Sequence, residues 1–415
     1  MGNNSSYFRR FAATSIRDAL LDTPVVLIQG PRQSGKSTLA QEIARERFNN
    51  NYRTLDDPIT MAEALRNPGS FLRSVQPPVV IDEVQRAPEL FLALKLLVDQ
   101  HRRPGQFLLT GSANVLLLPK IADSLAGRME PIELAPLTQA ELEGSDRNLV
   151  DLLFSPDLPK AAPSPATTGL ALRIARGGFP EPVARESPPR REAWFQAYVR
   201  TVLERDVRDL SNVSGLTQMP RLLAILAARS GQTLNVASLS VETGVPHTTL
   251  TRYVDLFKAL FLISMVPAWS AALDTRLAKA PKAYMVDTGL LCYLSGLDAD
   301  SISRDPLRYG PAIKTFAHNE LHRLAAVSRV RPWIFHLRTV KQKEVDFVLE
   351  SRDGRVIGIE VRHDKAARPE DFDGLRYLAE LAGERFHRGV VLYDGEETIE
   401  ADSRFSAMPL AALWS

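Results

Sequence analysis

Residues Gly30–Thr38 read GPRQSGKST. The order is Gly, four residues, Gly, Lys, then Ser or Thr, the pattern of a phosphate-binding loop. Pro24–Gln29 (PVVLIQ) before it is an apolar run suited to a buried strand. Ser37–Arg47 (STLAQEIARER) after it is a good helix former. In a strand–loop–helix unit, glycines at positions 30 and 35 let the backbone curl without a Cβ in the way, so that several N–H groups point at one anion. The helix N-terminus adds a favourable dipole. The whole loop, Gly30, Pro31, Arg32, Gln33, Ser34, Gly35, Lys36, Ser37 and Thr38, is therefore the expected nucleotide-binding segment. Lys36 is placed to neutralise β- and γ-phosphate charge, and the Ser37 hydroxyl to bind Mg²⁺. The alternative is a glycine turn followed by an unrelated lysine, which the context on both sides disfavours.

About fifty residues on, Pro78–Glu83 (PVVIDE) is four apolar residues followed by two carboxylates. A parallel strand covered on both faces is continuously apolar, and its carboxyl end opens on the ligand side of the sheet. Asp82 is the expected second Mg²⁺ ligand, through water, and Glu83 the group that polarises the attacking water. Gln106–Thr110 (QFLLT) is a further strand. Ser112 and Asn114 are the candidate γ-phosphate sensors, with Thr110 as a third; the alternative is an ordinary turn. Arg128, in Ser124–Arg128 (SLAGR), is a candidate arginine finger, in cis or from a neighbouring subunit. A plain surface arginine is an equal reading.

Asp57 and Asn67 stand where two short helices, Pro58–Leu65 and Pro68–Ser74, need N-caps. Ser5–Leu21 reads as an amphipathic helix, and Glu89–Arg102 as a helix with an apolar stripe. Phe154–Thr168 is rich in Pro, Ala and Ser and reads as a linker. Arg190–Leu210 is a long helix on which Glu204, Arg205 and Asp206 form either a solvated face or a buried ion network. Pro220–Ser230, Val236–Thr243 and Pro246–Leu260 are three more helices, with Gly244 at the turn between the last two. Phe261–Pro267 and Lys282–Val286 are candidate wing strands, with Arg276, Lys279 and Lys282 as a basic wing. His247, Thr248, Thr249, Thr251 and Arg252 face outward on the last helix. DNA contact through that helix and wing is one reading; packing or protein contact is the other.

Taken in order, GPRQSGKST, VVIDEVQRAP, LLTGSAN, SLAGRM and ELAPLTQAEL resemble a family of prokaryotic AAA+-like (AAA_14-type) ATPases. Gly177–Pro182 (GGFPEP), Tyr198–Asp206 (YVRTVLERD) and Lys279–Leu290 (KAPKAYMVDTGL) fit it too, so the resemblance covers nearly the whole chain. It implies a P-loop NTPase (AAA+-like) parallel-sheet domain, a winged helix and a C-terminal DUF4143 domain. It also implies a homo-oligomer in which Arg128 acts across an interface.

The C-terminal part runs helix (Lys314–Ala326), strand (Trp333–Leu337), hairpin (Glu344–Glu350 and Arg355–Arg362 around Asp353-Gly354), helix (Asp371–Ala382), strand (Gly389–Tyr393). This resembles a restriction-endonuclease-like nuclease core. That likeness places Glu320, Asp346 and Glu360 as a possible second Mg²⁺ site. Arg362 stands where the nuclease lysine belongs, and a permanently protonated arginine is a poor base, so cleavage is doubtful.

The fold class is therefore α/β. The expected divisions are 1–135 for the ATPase domain, 136–215 for a helical connector, 216–295 for the winged helix and 296–415 for the nuclease-like domain. A formal charge of +2 does not by itself announce a nucleic-acid partner. The single cysteine, Cys292, excludes an intrachain disulfide framework and suits a reducing cytoplasm. No apolar run approaches a membrane span, and no apolar signal segment follows the N-terminal charges. Met1–Ser6 matches a myristoylation pattern, which is short and lacks a polybasic neighbour. The first expectation is a cytoplasmic Mg-ATP hydrolase that remodels or binds DNA. The rivals are a nucleotide-operated regulatory or defence switch acting on proteins, toxin–antitoxin-like, and an ATP-gated metal-dependent nuclease.

Overall fold

The computed structural model describes residues 7–114, 125–156, 169–210, 216–272, 276, 279–339 and 343–415. Most of the Pro-rich stretch and the start of SLAGR lie outside the described residues.

Five parallel strands form the first sheet: β1 (Val25–Gln29), β2 (Tyr52–Thr54), β3 (Val79–Asp82), β4 (Phe107–Gly111) and β5 (Met129–Glu133), in the order β2-β3-β4-β1-β5. Successive side chains along a strand point to opposite faces, and both faces here are apolar. Val25, Leu27, Ile81 and Leu109 pack with Phe71, Phe91 and Leu94. Val26, Ile28, Val80 and Leu108 pack with Ile16, Leu39 and Ile43. The alternation thus becomes a helix-covered sandwich, which explains why these strands read as unbroken apolar runs. Asp57 and Asn67 cap their helices, accepting from the amides of Thr60 and Ser70 at 2.8 and 2.9 Å. The first helix is Ala12–Asp22, shorter than the sequence suggests. The preceding turn is not helical, and its Arg10 is drawn into the interior.

Helices Met219–Ala228, Val236–Thr243 and His247–Ala259 stand with a small antiparallel sheet of β6 (Gln232–Thr233), β7 (Ile263–Val266) and β8 (Lys282–Met285), ordered β6-β8-β7. Gly244, at φ +70°, ends the second helix in the left-handed region, where a Cβ is disfavoured.

The last sheet is mixed: β9 (Trp333–Arg338), β10 (Glu344–Glu350), β11 (Val356–Val361), β12 (Phe386–Tyr393), β13 (Ile399–Glu400) and β14 (Phe405–Pro409), ordered β13-β14-β12-β11-β10-β9. β9, β10 and β11 are antiparallel neighbours, whereas β11, β12 and β14 run parallel. One buried apolar cluster runs from Leu149 through Trp194, Leu223 and Phe257 to Phe347 and Trp414. The backbone joins the two smaller sheets as well: Trp269 donates its amide to His336 at 2.6 Å, and His336 donates to Pro267 at 2.9 Å.

Candidate active site

The phosphate loop leaves the carboxyl end of β1. A Cβ on Gly30 would collide with the Leu134 carbonyl oxygen, because the loop passes directly against the end of β5. Gly35, at φ +98°, is the N-cap of helix Lys36–Arg47. Gln33 is also left-handed at φ 61°, and such alternation turns consecutive amides inward as an anion nest. Lys36 is buried, and its Nζ donates to the Pro31 carbonyl at 2.8 Å. Burial pushes its ammonium down to about 8, against the opposing pull of Glu83 and Asp82. The Ser34 hydroxyl, fully buried, has no protein partner among the described residues.

Asp82 ends β3. Its Oδ1 accepts from the Ser37 hydroxyl at 2.9 Å, and its Oδ2 lies 3.1 Å from the same oxygen. Thr110, at the end of β4, donates to Oδ1 at 2.5 Å and accepts the Glu83 amide at 3.0 Å. Thr110 is thus a strut between the Asp82 carboxylate and the Glu83 backbone amide. Glu83 is a non-glycine residue in the left-handed region, at φ 61° and ψ 42°, a conformation that concentrates at functional sites. Its carboxylate takes a hydrogen bond from Gln85 Nε2, and Gln85 also donates to the Ser112 hydroxyl at 2.9 Å. The Ser112 hydroxyl lies 3.4 Å from Glu83 Oε2. The structure thus brings Lys36, Ser37, Asp82, Glu83 and Ser112 together. Asn114 lies further along and gives its amide to the Ala259 carbonyl at 2.8 Å.

Sequence reasoning overlooked Arg10. It is buried, and it donates to the Ser34 carbonyl at 2.7 Å, to the Ala135 carbonyl at 2.6 Å and to Glu141 at 3.2 Å. No local pattern marks it, since its partners are 24 to 131 residues away. Gln85 was also passed over, and Asp206 was read only as part of the turn Glu204–Asp206. Of Glu204, Arg205 and Asp206, the first two are exposed and the third is buried, so neither simple reading of that turn holds. Arg128 stands at the start of β5, where its carbonyl accepts the Val25 amide at 3.2 Å. That is the opposite end of β1 from the loop, about 15 Å away for a five-residue strand. Its guanidinium forks onto Asp99 at 2.5 and 3.0 Å. A finger acting in cis is excluded by this placement.

The C-terminal acids are arranged differently from the nuclease expectation. Glu320 does not join Asp346 and Glu360. It is buried beside helix Gln139–Glu143, where its Oε2 accepts the Gln139 amide at 2.9 Å. Asp346 instead meets Lys314 at 2.7 Å and Lys282 at 3.7 Å, and accepts the Val361 amide at 3.0 Å. Glu360 pairs with Arg362 at 2.6 Å, and Arg362 also holds Asp371 at 2.6 Å. Burial opposes ionisation of Asp346, yet Lys314 and Lys282 keep it below the ordinary carboxylate range. Burial and the Asp346 charge push Glu360 up. Asp346 and Glu360 are thus each paired with cationic side chains, and no cluster of three or more acid, histidine or cysteine ligands occurs among the described residues. The three acids of the possible second Mg²⁺ site are not brought together. The basic wing is also reduced. Lys282 is buried on Glu344 at 2.5 Å, and Arg276 is drawn onto Glu350 at 2.7 Å. Of the three wing cations only Lys279 is exposed.

Residues 22–143 match the family described as AAA domain, and residues 309–413 match the domain of unknown function DUF4143. Residues 167–301 match a further domain of unknown function, DUF8612. Uncharacterized protein Rv2008c of Mycobacterium tuberculosis is 31% identical over 402 residues, covering 97% of this chain and 83% of that one. Uncharacterized protein Mb2031c of Mycobacterium bovis matches to the same extent. The chain belongs to this AAA-domain, DUF4143-bearing family. Its AAA match takes in β1 to β5 and ends in helix Gln139–Glu143, and its DUF4143 match takes in β9 to β14. Among solved structures, the Walker-type ATPase PABY2304 of Pyrococcus abyssi shares 14% identity at a TM-score of 0.40, over 70% of this chain and 97% of that one. AMPPCP-bound DnaA from Aquifex aeolicus shares 17% at a TM-score of 0.25, over 59% and 86%. No helix among the described residues is long and apolar enough to cross a membrane.

Proposed function

We propose that this protein is a Mg-ATP hydrolase. The observation that carries the reading is the contact of Ser37 Oγ with Asp82 at 2.9 Å beside a buried Lys36. A hydroxyl and a carboxylate converging on one point, with Thr54 and Thr110 orienting the acid, fit a hard divalent cation that takes oxygen ligands. When bound, Mg²⁺ would neutralise charge shared by the β- and γ-phosphates. The loop amides and Lys36 bind the phosphates and hold compensating charge where it grows as the terminal P–O bond breaks. Glu83, fixed through its amide by Thr110, orients the attacking water and takes its proton. Gln85 and Ser112 hold that carboxylate until a γ-phosphate competes for them. Most of the acceleration comes from positioning and electrostatics. The test is ATP turnover by the full chain beside its Lys36→Ala variant; equal phosphate release by both would overturn the reading.

What hydrolysis drives is a further part of the proposal. The arrangement of helices Met219–Ala228, Val236–Thr243 and His247–Ala259 with β6, β7 and β8 reads as a winged helix. His247, Thr248, Thr251 and Arg252 lie on its exposed face, which supports a DNA partner by way of the helix rather than the wing. Turnover unaltered by single-stranded, duplex and branched DNA would leave a protein-directed switch as the better reading. An oligomer in which Arg128 leaves Asp99 to reach a neighbour's γ-phosphate completes the scheme. Its check is sizing with and without ATP, together with mixing of Arg128→Ala and Glu83→Gln subunits.

A further inference from the structure

Arg32 is the third residue of the phosphate loop, and its Nη1 donates to Asp206 Oδ1 at 3.1 Å. The two residues are 174 positions apart. Asp206 closes the segment Val202–Asp206, a π-helical turn between helices Pro188–Thr201 and Val207–Leu210. π-Turns are rare overall and are frequent at functional sites. Here the wider turn sends Glu204 and Arg205 to solvent and Asp206 inward, with 11% of its side chain exposed. The Asp206 charge also reaches Lys36, so a carboxylate from outside the ATPase domain acts on both loop cations.

We propose that Asp206 is a positioning residue of the nucleotide site, which holds Arg32 from the connector helix and competes for it with the terminal phosphate of ATP. This rests on the ATPase reading and extends it to the connector. A half-buried ion pair gains little net energy, because desolvation offsets attraction. A triphosphate offers Arg32 a more highly charged, bidentate partner, and at the same time its charge repels Asp206. A diphosphate, lacking the outermost group, competes less. The pair therefore sets the preference for ATP over ADP, and its exchange removes one tether of the turn at Val202–Asp206 when ATP enters.

The test uses the full chain with fluorescent ATP and ADP analogues, in wild type, Asp206→Asn, Arg32→Ala and the double variant. Asp206→Asn is expected to tighten ATP about fivefold and ADP less than about twofold. Arg32→Ala is expected to loosen ATP about tenfold, and the double variant to behave like Arg32→Ala, since the coupling needs both partners. Hydrogen exchange of segment 202–206 is expected to rise on addition of ATP in the wild type and to stay flat in Arg32→Ala. This reading stands even if Asp206→Asn folds poorly. Unchanged ATP preference in Asp206→Asn, an Asp206→Asn effect that persists without Arg32, or no ATP-dependent exchange would overturn the inference while leaving the ATPase reading intact. A wild type that binds neither analogue better than Lys36→Ala would overturn both.

Discussion

The Gln139 amide donates to Glu320 Oε2 at 2.9 Å, joining the first turn of a helix beside the ATPase sheet to a helix of the C-terminal domain. Glu320 is fully enclosed there. Burial raises its carboxyl to about 7 from an ordinary 4.5, with Arg323 pulling the other way. The raised value means that the folded protein binds this proton more tightly than the unfolded chain does. The associated stability is complete below pH 4.5 and is lost as pH rises through 7. Glu320→Gln removes the titration. It should match wild type near pH 5 and exceed it by about 1–3 kcal/mol near pH 8, measured by urea unfolding at the two pH values. A variant weaker than wild type at pH 8 would show that the charged form is the stabilising one.

Lys36→Ala should weaken ATP binding strongly, because the loop then lacks its buried cation. Glu83→Gln should leave binding within about threefold and lower turnover by about two orders of magnitude or more, the range expected for loss of a positioned proton acceptor. Calorimetric titration with phosphate release on the same preparations separates the two. Normal turnover in Glu83→Gln would remove Glu83 from the chemistry.

Thr110→Val deletes the hydroxyl shared by Asp82 and the Glu83 amide and leaves a part-buried N–H without its acceptor. A loss of about 1–3 kcal/mol is expected, along with a fall in kcat larger than the change in KM. Thr110→Ser should restore both. If Ser and Val behave alike, the strut assignment is wrong.

Arg10→Met leaves Glu141 buried with no cation and releases the Ser34 carbonyl. Breaking one side of such a pair costs about 3–5 kcal/mol. Adding Glu141→Gln should recover much of that stability but not nucleotide affinity, since the loop stays unanchored. Thermal melting with and without ATP distinguishes the two effects.

In the C-terminal domain, Lys314→Met should be destabilising by about 3–5 kcal/mol, because it leaves a buried carboxylate short of charge. Asp346→Asn in that background should compensate. Mg²⁺ added to the Lys36→Ala chain should neither raise its melting temperature nor produce nicking of supercoiled DNA. Metal-dependent nicking lost on Glu360→Ala would instead mean that the cations yield the site to a metal.

Much of the first sheet was legible because its signals are local. β1, β3 and β4 are short apolar runs, and the Asp57 and Asn67 caps sit three residues before the amides they bind. β5 was not legible. Met129–Glu133 (MEPIE) carries Pro131 and two acids, a composition tolerated only because the strand lies at the sheet edge. The failure at Glu320 has a similar origin. Lys314 and Glu320 are six positions apart on one helix, so at about 100° per residue they face about 120° apart. Only one of them can meet Asp346, and it is Lys314.

By itself, the sequence determined the phosphate loop and the acid-ended strand. Each is a run of nine residues or fewer whose chemistry follows from its own order of glycines, lysine, hydroxyl and carboxylates. Tertiary structure alone decided which distant charges those residues meet. Arg10 and Asp206 come to the loop at Gly30–Thr38, whereas Arg128 goes to Asp99, and lysines rather than a metal cluster meet Asp346. A buried charge takes its partner from whichever element packs against it, and that choice is made by the whole chain, not by neighbours in sequence.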